Sequence, residues 1–371
     1  VMSSTERVRL IERVVDESVG LGILEPLIAD QTVTEIMVNG MGNIFVERAG
    51  RLERLPQGFS SEEEIYRTID RIVSSVNRRV DESSPMVDAR LAGGERVNVI
   101  IPPLALDGPT ITIRRFPQPF RLNDLVARKS LPNDAASLLV SMVRARLNIL
   151  VSGGTGTGKT TFLNALSGAI PETERILTIE DAAELSLQQS HVVRMEARPA
   201  NSEGKGQVTI RDLVRNALRM RPDRIVVGEV RGGETLDMLQ AMNTGHEGSL
   251  TTVHANSTVD ALSRLETLAS MSDVSLPVDT IRDQINGAID VIVQLERDAT
   301  GARRVSEISE VTSERREAYV TQPIMRSLAG APNAEKNAVA RFPLSERLEH
   351  RLTQKQEQVV PAFLGNVGGA Q

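Results

Sequence analysis

The stretch that decides the fold runs Leu147-Asn148-Ile149-Leu150-Val151-Ser152-Gly153-Gly154-Thr155-Gly156-Thr157-Gly158-Lys159-Thr160-Thr161. Residues 153–160 fit the pattern G-x-x-x-x-G-K-[ST] at every position. An apolar run of strand type leads in, and a helical pattern begins near Thr160, which is the context the pattern requires. Glycines tolerate positive φ and carry no Cβ, so backbone N–H groups can curl around phosphate oxygens. The helix N-terminus adds partial positive charge at the same point. In such a loop Gly153, Gly154, Thr155, Gly156, Thr157 and Gly158 cradle phosphates, and Lys159 reaches the β and γ positions. Thr160 offers a hydroxyl to Mg²⁺, with Thr161 next along the helix. The bland alternative is a Gly/Thr-rich turn between strand and helix; Lys-Thr in register argues against it.

Working outward, strand and helix patterns alternate after the loop: 147–151, 160–169, 175–179, 209–220, 224–227, 233–243 and 249–253. That alternation predicts an α/β fold with a parallel-rich sheet flanked by helices. Before the loop the pattern differs. Residues 35–40 and 43–47 read as strands joined by a Gly-containing turn. Ser61 opens a helix to about Val76, and 97–101 and 110–114 read as further strands. Residues 27–118 therefore form a smaller α+β domain. Val8, Ile11, Val15 and Val19 have helical spacing, which places a short helical segment within residues 1–26. Pro117 and Pro119 break the chain, so 119–133 reads as a linker able to hinge. Residues 134–328 form the second domain. The tail, 329–371, is rich in Ala, Glu, Gln and Gly and is expected to be partly disordered.

Composition bounds the function. A chain of 371 residues suggests two or three domains. No run approaches the roughly 18 apolar residues that span a bilayer, and no basic–apolar–small leader is visible, so a cytoplasmic location is expected. The Val1-Met2 opening hints at a longer N-terminus. Absence of cysteine excludes disulfides, thiol nucleophiles and cysteine-ligated zinc or iron–sulfur sites. A net charge of −6, 2% aromatics and no Trp argue against nucleic acid as the main substrate.

Three further segments carry chemistry. The strand 224–227 is followed by Gly228-Glu229, which places a carboxylate where it can hold Mg²⁺ or its water. Thr178-Ile179-Glu180-Asp181-Ala182-Ala183-Glu184 sets three acids after another strand; a carboxylate there can polarise water, or simply cap a helix. Residues 244–254 hold His246 and His254, open to metal binding, to structural hydrogen bonding, or to sensing a γ-phosphate. Arg211, Arg215 and Arg219 make a row on one helix face, a solvated stripe or a grip for an acidic partner.

Together these segments resemble the secretion ATPase superfamily that drives type II secretion, type IV pili and type IV secretion. The loop is similar to its Walker A, 178–184 to its acidic box, 225–234 to its Walker B segment, and 244–254 to its histidine box. Leu21-Gly22-Ile23-Leu24-Glu25-Pro26-Leu27-Ile28-Ala29-Asp30 and Val33-Thr34-Glu35-Ile36-Met37-Val38-Asn39-Gly40 resemble the Tad (Flp or Cpa-type) pilus ATPase branch. That likeness covers about residues 20–328. Type II pilus-assembly ATPases carry a four-cysteine zinc module, from which this chain departs. The traffic ATPase of type IV secretion is the other branch it resembles.

The resemblance implies a RecA-like motor domain preceded by a PAS-like domain, with ATP and Mg²⁺ held between them in a homohexamer. It implies that Lys159 and Thr160 bind phosphate and metal, that Glu184 polarises the attacking water, and that Glu229 acts beside the metal. His246 and His254 would sense the γ-phosphate or couple subunits. Arg96 and Arg114 match arginines that reach nucleotide phosphates, and Arg90 is a further candidate. The implied partners are inner-membrane platform proteins, giving peripheral membrane association without direct nucleic-acid contact. Two rivals stay open: a nucleotide-gated scaffold with little turnover, and a DNA-translocating motor.

Overall fold

The computed structural model describes residues 20–48, 51–74, 78–115, 119–200, 205–298, 301–314, 318–328 and 338–364. The helix expected before residue 20 lies outside them. The chain divides between Gln118 and Pro119 into two compact units.

The first unit contains α1 (Glu25–Ala29), β1 (Val33–Asn39), β2 (Ile44–Arg48), β3 (Arg51–Arg54), α2 (Glu62–Ser74), β4 (Met86–Arg90), β5 (Arg96–Ile100) and β6 (Thr110–Arg114). Its sheet has the order β3-β2-β1-β6-β5-β4, antiparallel throughout. The strands alternate because one face is buried: Val97 and Val99 point in while Asn98 points out. Helix α2 presents Ile65, Ile69, Ile72 and Val73 to that face at helical spacing. The Ser61 hydroxyl accepts the Glu64 N–H at its start. Strands β3 and β4, which close the two edges, were not expected. β3 is fully exposed and β4 buries only Val87, so neither carries a readable apolar period.

The second unit contains α3 (Leu122–Ala127), α4 (Asn133–Arg144), β7 (Ile149–Gly153), α5 (Lys159–Ser167), β8 (Ile176–Glu180), β9 (Val192–Glu196), α6 (Ile210–Ala217), β10 (Arg224–Val227), α7 (Glu234–Asn243) and β11 (Leu250–Val253). It continues through α8 (Thr258–Ser270), α9 (Val278–Ala288), β12 (Val291–Arg297), β13 (Arg303–Val311), β14 (Thr321–Ser327), β15 (Val339–Arg341) and α10 (Glu346–Gln354). The sheet order is β15-β14-β13-β12-β7-β11-β10-β8-β9. From β12 to β9 every neighbouring pair is parallel; β13, β14 and β15 extend the sheet antiparallel. Ile149 and Val151 of β7 face one apolar layer with α3, α4, α5 and α10, while Leu150 faces the other with α6 to α9. A strand covered on both sides reads as a continuous apolar run, which is why β7 announced itself.

Two stretches outside the alternating core pack onto this unit. Within 119–133, expected as a linker, residues 122–127 form α3 with Leu122 and Leu125 buried. Of the tail, the described residues 338–364 bring Leu348, Leu352 and Phe363, each about fully buried, against α4 and the sheet. Truncating one such side chain to alanine costs about 2–5 kcal/mol.

Candidate functional site

Strand β7 ends at Gly153. A Cβ there would stand 2.6 Å from Thr157 Oγ1 and 2.7 Å from the Leu295 carbonyl oxygen, so the position admits only glycine. Gly156 and Gly158 hold φ of 74° and 91°, in the left-handed region. Gly158 is the N-cap of α5 and no side chain caps that helix, which leaves its first-turn N–H groups to an anion. The Thr157 hydroxyl donates to the Gly154 carbonyl at 2.9 Å and folds the loop on itself. Lys159 Nζ donates to the carbonyls of Gly153 (3.0 Å) and Gly154 (3.2 Å). Burial lowers the Lys159 pKa, and the Glu229 charge opposes that shift. Carbonyls carry partial charge only, so a phosphate competes well for this ammonium.

The parallel sheet brings the carboxy ends of β7, β11, β10 and β8 to one edge. Glu229 accepts from Arg231 Nη2 at 2.6 Å and Nε at 3.0 Å. Arg231 also lies 3.7 Å from Asp181, and its charge acts on Glu184. Lys159, Glu229 and Glu184 are therefore linked electrostatically through Arg231, a residue to which the sequence pattern gave no role. The Arg231 guanidinium is largely exposed, so its pairing is weak, about 0–1 kcal/mol, and opens easily.

Glu180, within the acidic segment, likewise has no role in the sequence pattern. It ends β8 at 3% exposure. Its Oε1 accepts the N–H of Glu184 (2.9 Å) and of Leu185 (3.0 Å), while Oε2 is buried without a partner among the described residues. Burial raises its pKa, and the two backbone donors oppose that. A Cβ on Gly228 would stand 2.9 Å from Glu180 Cγ, so the glycine before Glu229 makes room for it. The available signal was parity: Ile176, Thr178 and Glu180 share one face of an otherwise apolar strand. Asn164 Oδ1 of α5 accepts the Ser186 N–H at 2.9 Å, tying the acidic turn to the phosphate-loop helix.

The two histidines are not brought together. Val253 pairs with Ser152, so His254, exposed at the carboxy end of β11, follows in register beside Gly153. His246 precedes β11, and the same turn donates from Gly248 N–H to Asn148 Oδ1 (2.8 Å) at the opposite end of β7. Strand β11 separates them, so His254 lies at the phosphate-loop end of β11 and His246 at the other. Among the described residues no three His, Asp or Glu side chains could hold a metal by themselves. A Mg²⁺ at Thr160 and Glu229 would draw on phosphate oxygens, as this ion ordinarily does. Arg211 and Arg215 both grip Asp237 at 2.8 Å, so two of the three arginines in that row are engaged within the unit.

In the first unit, Arg90 pairs with Arg96 and Arg96 with Arg114 across three neighbouring strands. The three candidate arginines thus form one row, with Glu35 3.9 Å from Arg114. Beside the phosphate loop the second unit holds a cavity of about 310 Å³ reached by Phe120, Leu125, Thr157, Gly158, Thr161 and Phe162. Arg128 lies 4.5 Å over the Phe120 ring at this cavity. No sequence pattern marked it.

A glycine loop at the carboxy edge of a parallel sheet, faced by strand-end carboxylates, defines an α/β protein of the phosphate-loop class. The chain belongs to the type II/IV secretion system protein family, which it matches over residues 17–356. A protein of Mycobacterium tuberculosis is 42% identical over 300 residues, covering 79% of this chain and 85% of its own length. The type IV secretion system protein PtlH of Bordetella pertussis is 36% identical over 313 residues, covering 76% and 91%. The crystal structure of the pilus retraction motor PilT with bound ADP shares the fold, with a TM-score of 0.59 at 23% identity over 79% of this chain and 84% of that one. Among the described residues no helix is long and apolar enough to cross a membrane.

Proposed function

We propose that this chain hydrolyses ATP to drive a type II/IV secretion or pilus machine, its second unit serving as a RecA-like motor and its first as a PAS-like regulatory domain. The observation that carries this is the tether of Lys159 to the Gly153 and Gly154 carbonyls, at the sheet edge where Glu229 acts on it. The loop's open N–H groups and Lys159 would take the β- and γ-phosphates, and the apolar walls of Phe120, Leu125 and Phe162 would receive the nucleoside. Thr160 and Glu229 would hold Mg²⁺. When bound, that ion supplies charge neutralisation on the phosphate oxygens. Glu184, fixed at its backbone by Glu180, would accept a proton from the attacking water. Lys159 would stabilise charge on the equatorial oxygens as the γ-phosphorus is displaced. The exposed His254 would read the γ-phosphate. The row Arg90, Arg96 and Arg114 would answer nucleotide charge, and a homohexamer is the assembly in which such motors turn.

Two machines fit. The stretch 21–40 and the lack of cysteine support a Tad-type pilus motor at inner-membrane platform proteins. The 36% identity to PtlH supports a type IV secretion traffic ATPase. Phosphate release by the purified chain tests the enzyme: Lys159→Ala should lose turnover and most nucleotide affinity, and Glu229→Gln should keep nucleotide but stall. Wild-type rates in either variant, or no turnover in the wild type, contradict the reading. Crosslinking in cells, followed by identification of co-purified membrane proteins, separates the two machines.

A further inference from the structure

The cavity beside the phosphate loop is lined by four arginines, Arg128, Arg297, Arg303 and Arg304, and by no carboxylate. This occurs in a chain whose net charge is −6. Arg297 and Arg303 are direct partners in the β12–β13 ladder. Like charges placed opposite one another destabilise a sheet, so the pair is retained at a cost. Arg304 is neutralised by Asp298 at 2.9 Å. Arg297 donates to the Gly301 carbonyl at 3.1 Å, and Arg128 rests on Phe120; neither contact removes charge. The Arg303 side chain passes alongside the loop, with its Cδ 3.1 Å from where a Cβ on Gly158 would stand.

A base and ribose are uncharged, and the apolar walls suffice for them. The 5′-phosphate chain is answered by the loop and Lys159. The opposed arginines are left over, and a guanidinium pair matches a phosphate group in both charge and donor geometry. We propose that the cavity accepts a nucleotide carrying an additional phosphate on its ribose, held by Arg297 and Arg303. The proposal rests on the reading that the loop binds the 5′-phosphates. Such a nucleotide fills loop and cavity together, so it competes with ATP and acts as an inhibitor of turnover.

Calorimetric titration of the full chain compares ADP with ADP phosphorylated at the ribose 2′ or 3′ hydroxyl. At least one ribose-phosphorylated form should bind roughly tenfold more tightly than ADP. That ratio should shrink with added salt and fall below about twofold in the Arg297→Gln/Arg303→Gln double variant. Arg303→Lys, which keeps the charge and loses the two-pronged donor, should be intermediate. Equal affinity of the three ligands for the wild type overturns the proposal, with no variant needed. So does a preference that survives the double substitution, or a loss of ADP affinity by the same factor. If ADP itself fails to bind the wild type, the reading of the loop falls, and this proposal with it.

Discussion

Glu180 Oε1 accepts the backbone N–H of Glu184 at 2.9 Å, so one buried acid fixes the turn that carries another. The same oxygen accepts from Leu185, and the side chain fills the space that Gly228 leaves beside the Glu229 segment. Strand β8, the acidic turn and the end of β10 are thereby locked at one point.

Glu180→Ala leaves two N–H groups without their acceptor, at about 1–3 kcal/mol each where they are buried. Turnover should fall about tenfold or more through misplacement of Glu184, with ADP affinity little changed. Glu180→Gln keeps an amide oxygen as acceptor and should recover most of the rate. Phosphate release and ADP titration on the two variants check this; equal loss in both would remove the positioning role.

The raised pKa of Glu180 gives a pH test with a definite sign. Below the ordinary carboxylate range, about 4, the group is protonated whether the chain is folded or unfolded. As pH rises through the elevated folded value, the buried carboxylate must ionise, and the stability it contributed as a neutral acid is lost. Glu180→Gln cannot ionise. The stability of wild type relative to this variant should therefore decline from acidic pH toward neutrality, as measured by chemical denaturation at several pH values. A flat difference contradicts the burial effect.

His254 and His246 should behave differently, because β11 stands between them. His254→Ala should reduce turnover by about a hundredfold, as loss of one donor to developing charge does. His246→Ala should act on stability, by about 1 kcal/mol, by removing a half-buried ring whose Nδ1 is buried in the turn before β11. Turnover and melting of the two variants check the separation, and equal kinetic loss would contradict it.

Arg224 is fully buried at the start of β10. It donates to Glu174, to the Gly248 carbonyl (3.0 Å) and to the Val143 carbonyl (2.8 Å). Arg224→Met strips a partner from all three and should destabilise the chain by about 3 kcal/mol or more. Nucleotide affinity should persist under conditions where the variant stays folded, since this cluster lies at the sheet edge away from the loop. Denaturation alongside ADP titration checks both halves.

The parallel core and the phosphate loop were legible because apolar runs and glycines punctuate them. Strands β3 and β4 were not, since edge strands with charged side chains have no inward period to read. Helix α10 is not legible in the sequence because only Leu348 and Leu352 mark its buried face. Its remaining anchors are the pairs Arg347–Glu310 and Arg351–Asp290, which join residues far apart in the chain. The histidines sit eight positions apart, and no local pattern reveals that a short strand puts them at opposite edges. The arginine-lined cavity draws on α3, α5 and the β12–β13 hairpin, so only the folded chain assembles it.

The central claim is that the glycine loop is a triphosphate cradle whose lysine waits on its own carbonyls. A crystal structure of the Glu229→Gln chain with Mg²⁺ and ATP tests it most directly. The account predicts the β- and γ-phosphates within the 153–160 loop and Lys159 Nζ moved from the Gly153 and Gly154 oxygens onto them. Lys159 still bound to those carbonyls, with the nucleotide elsewhere or absent, would contradict it.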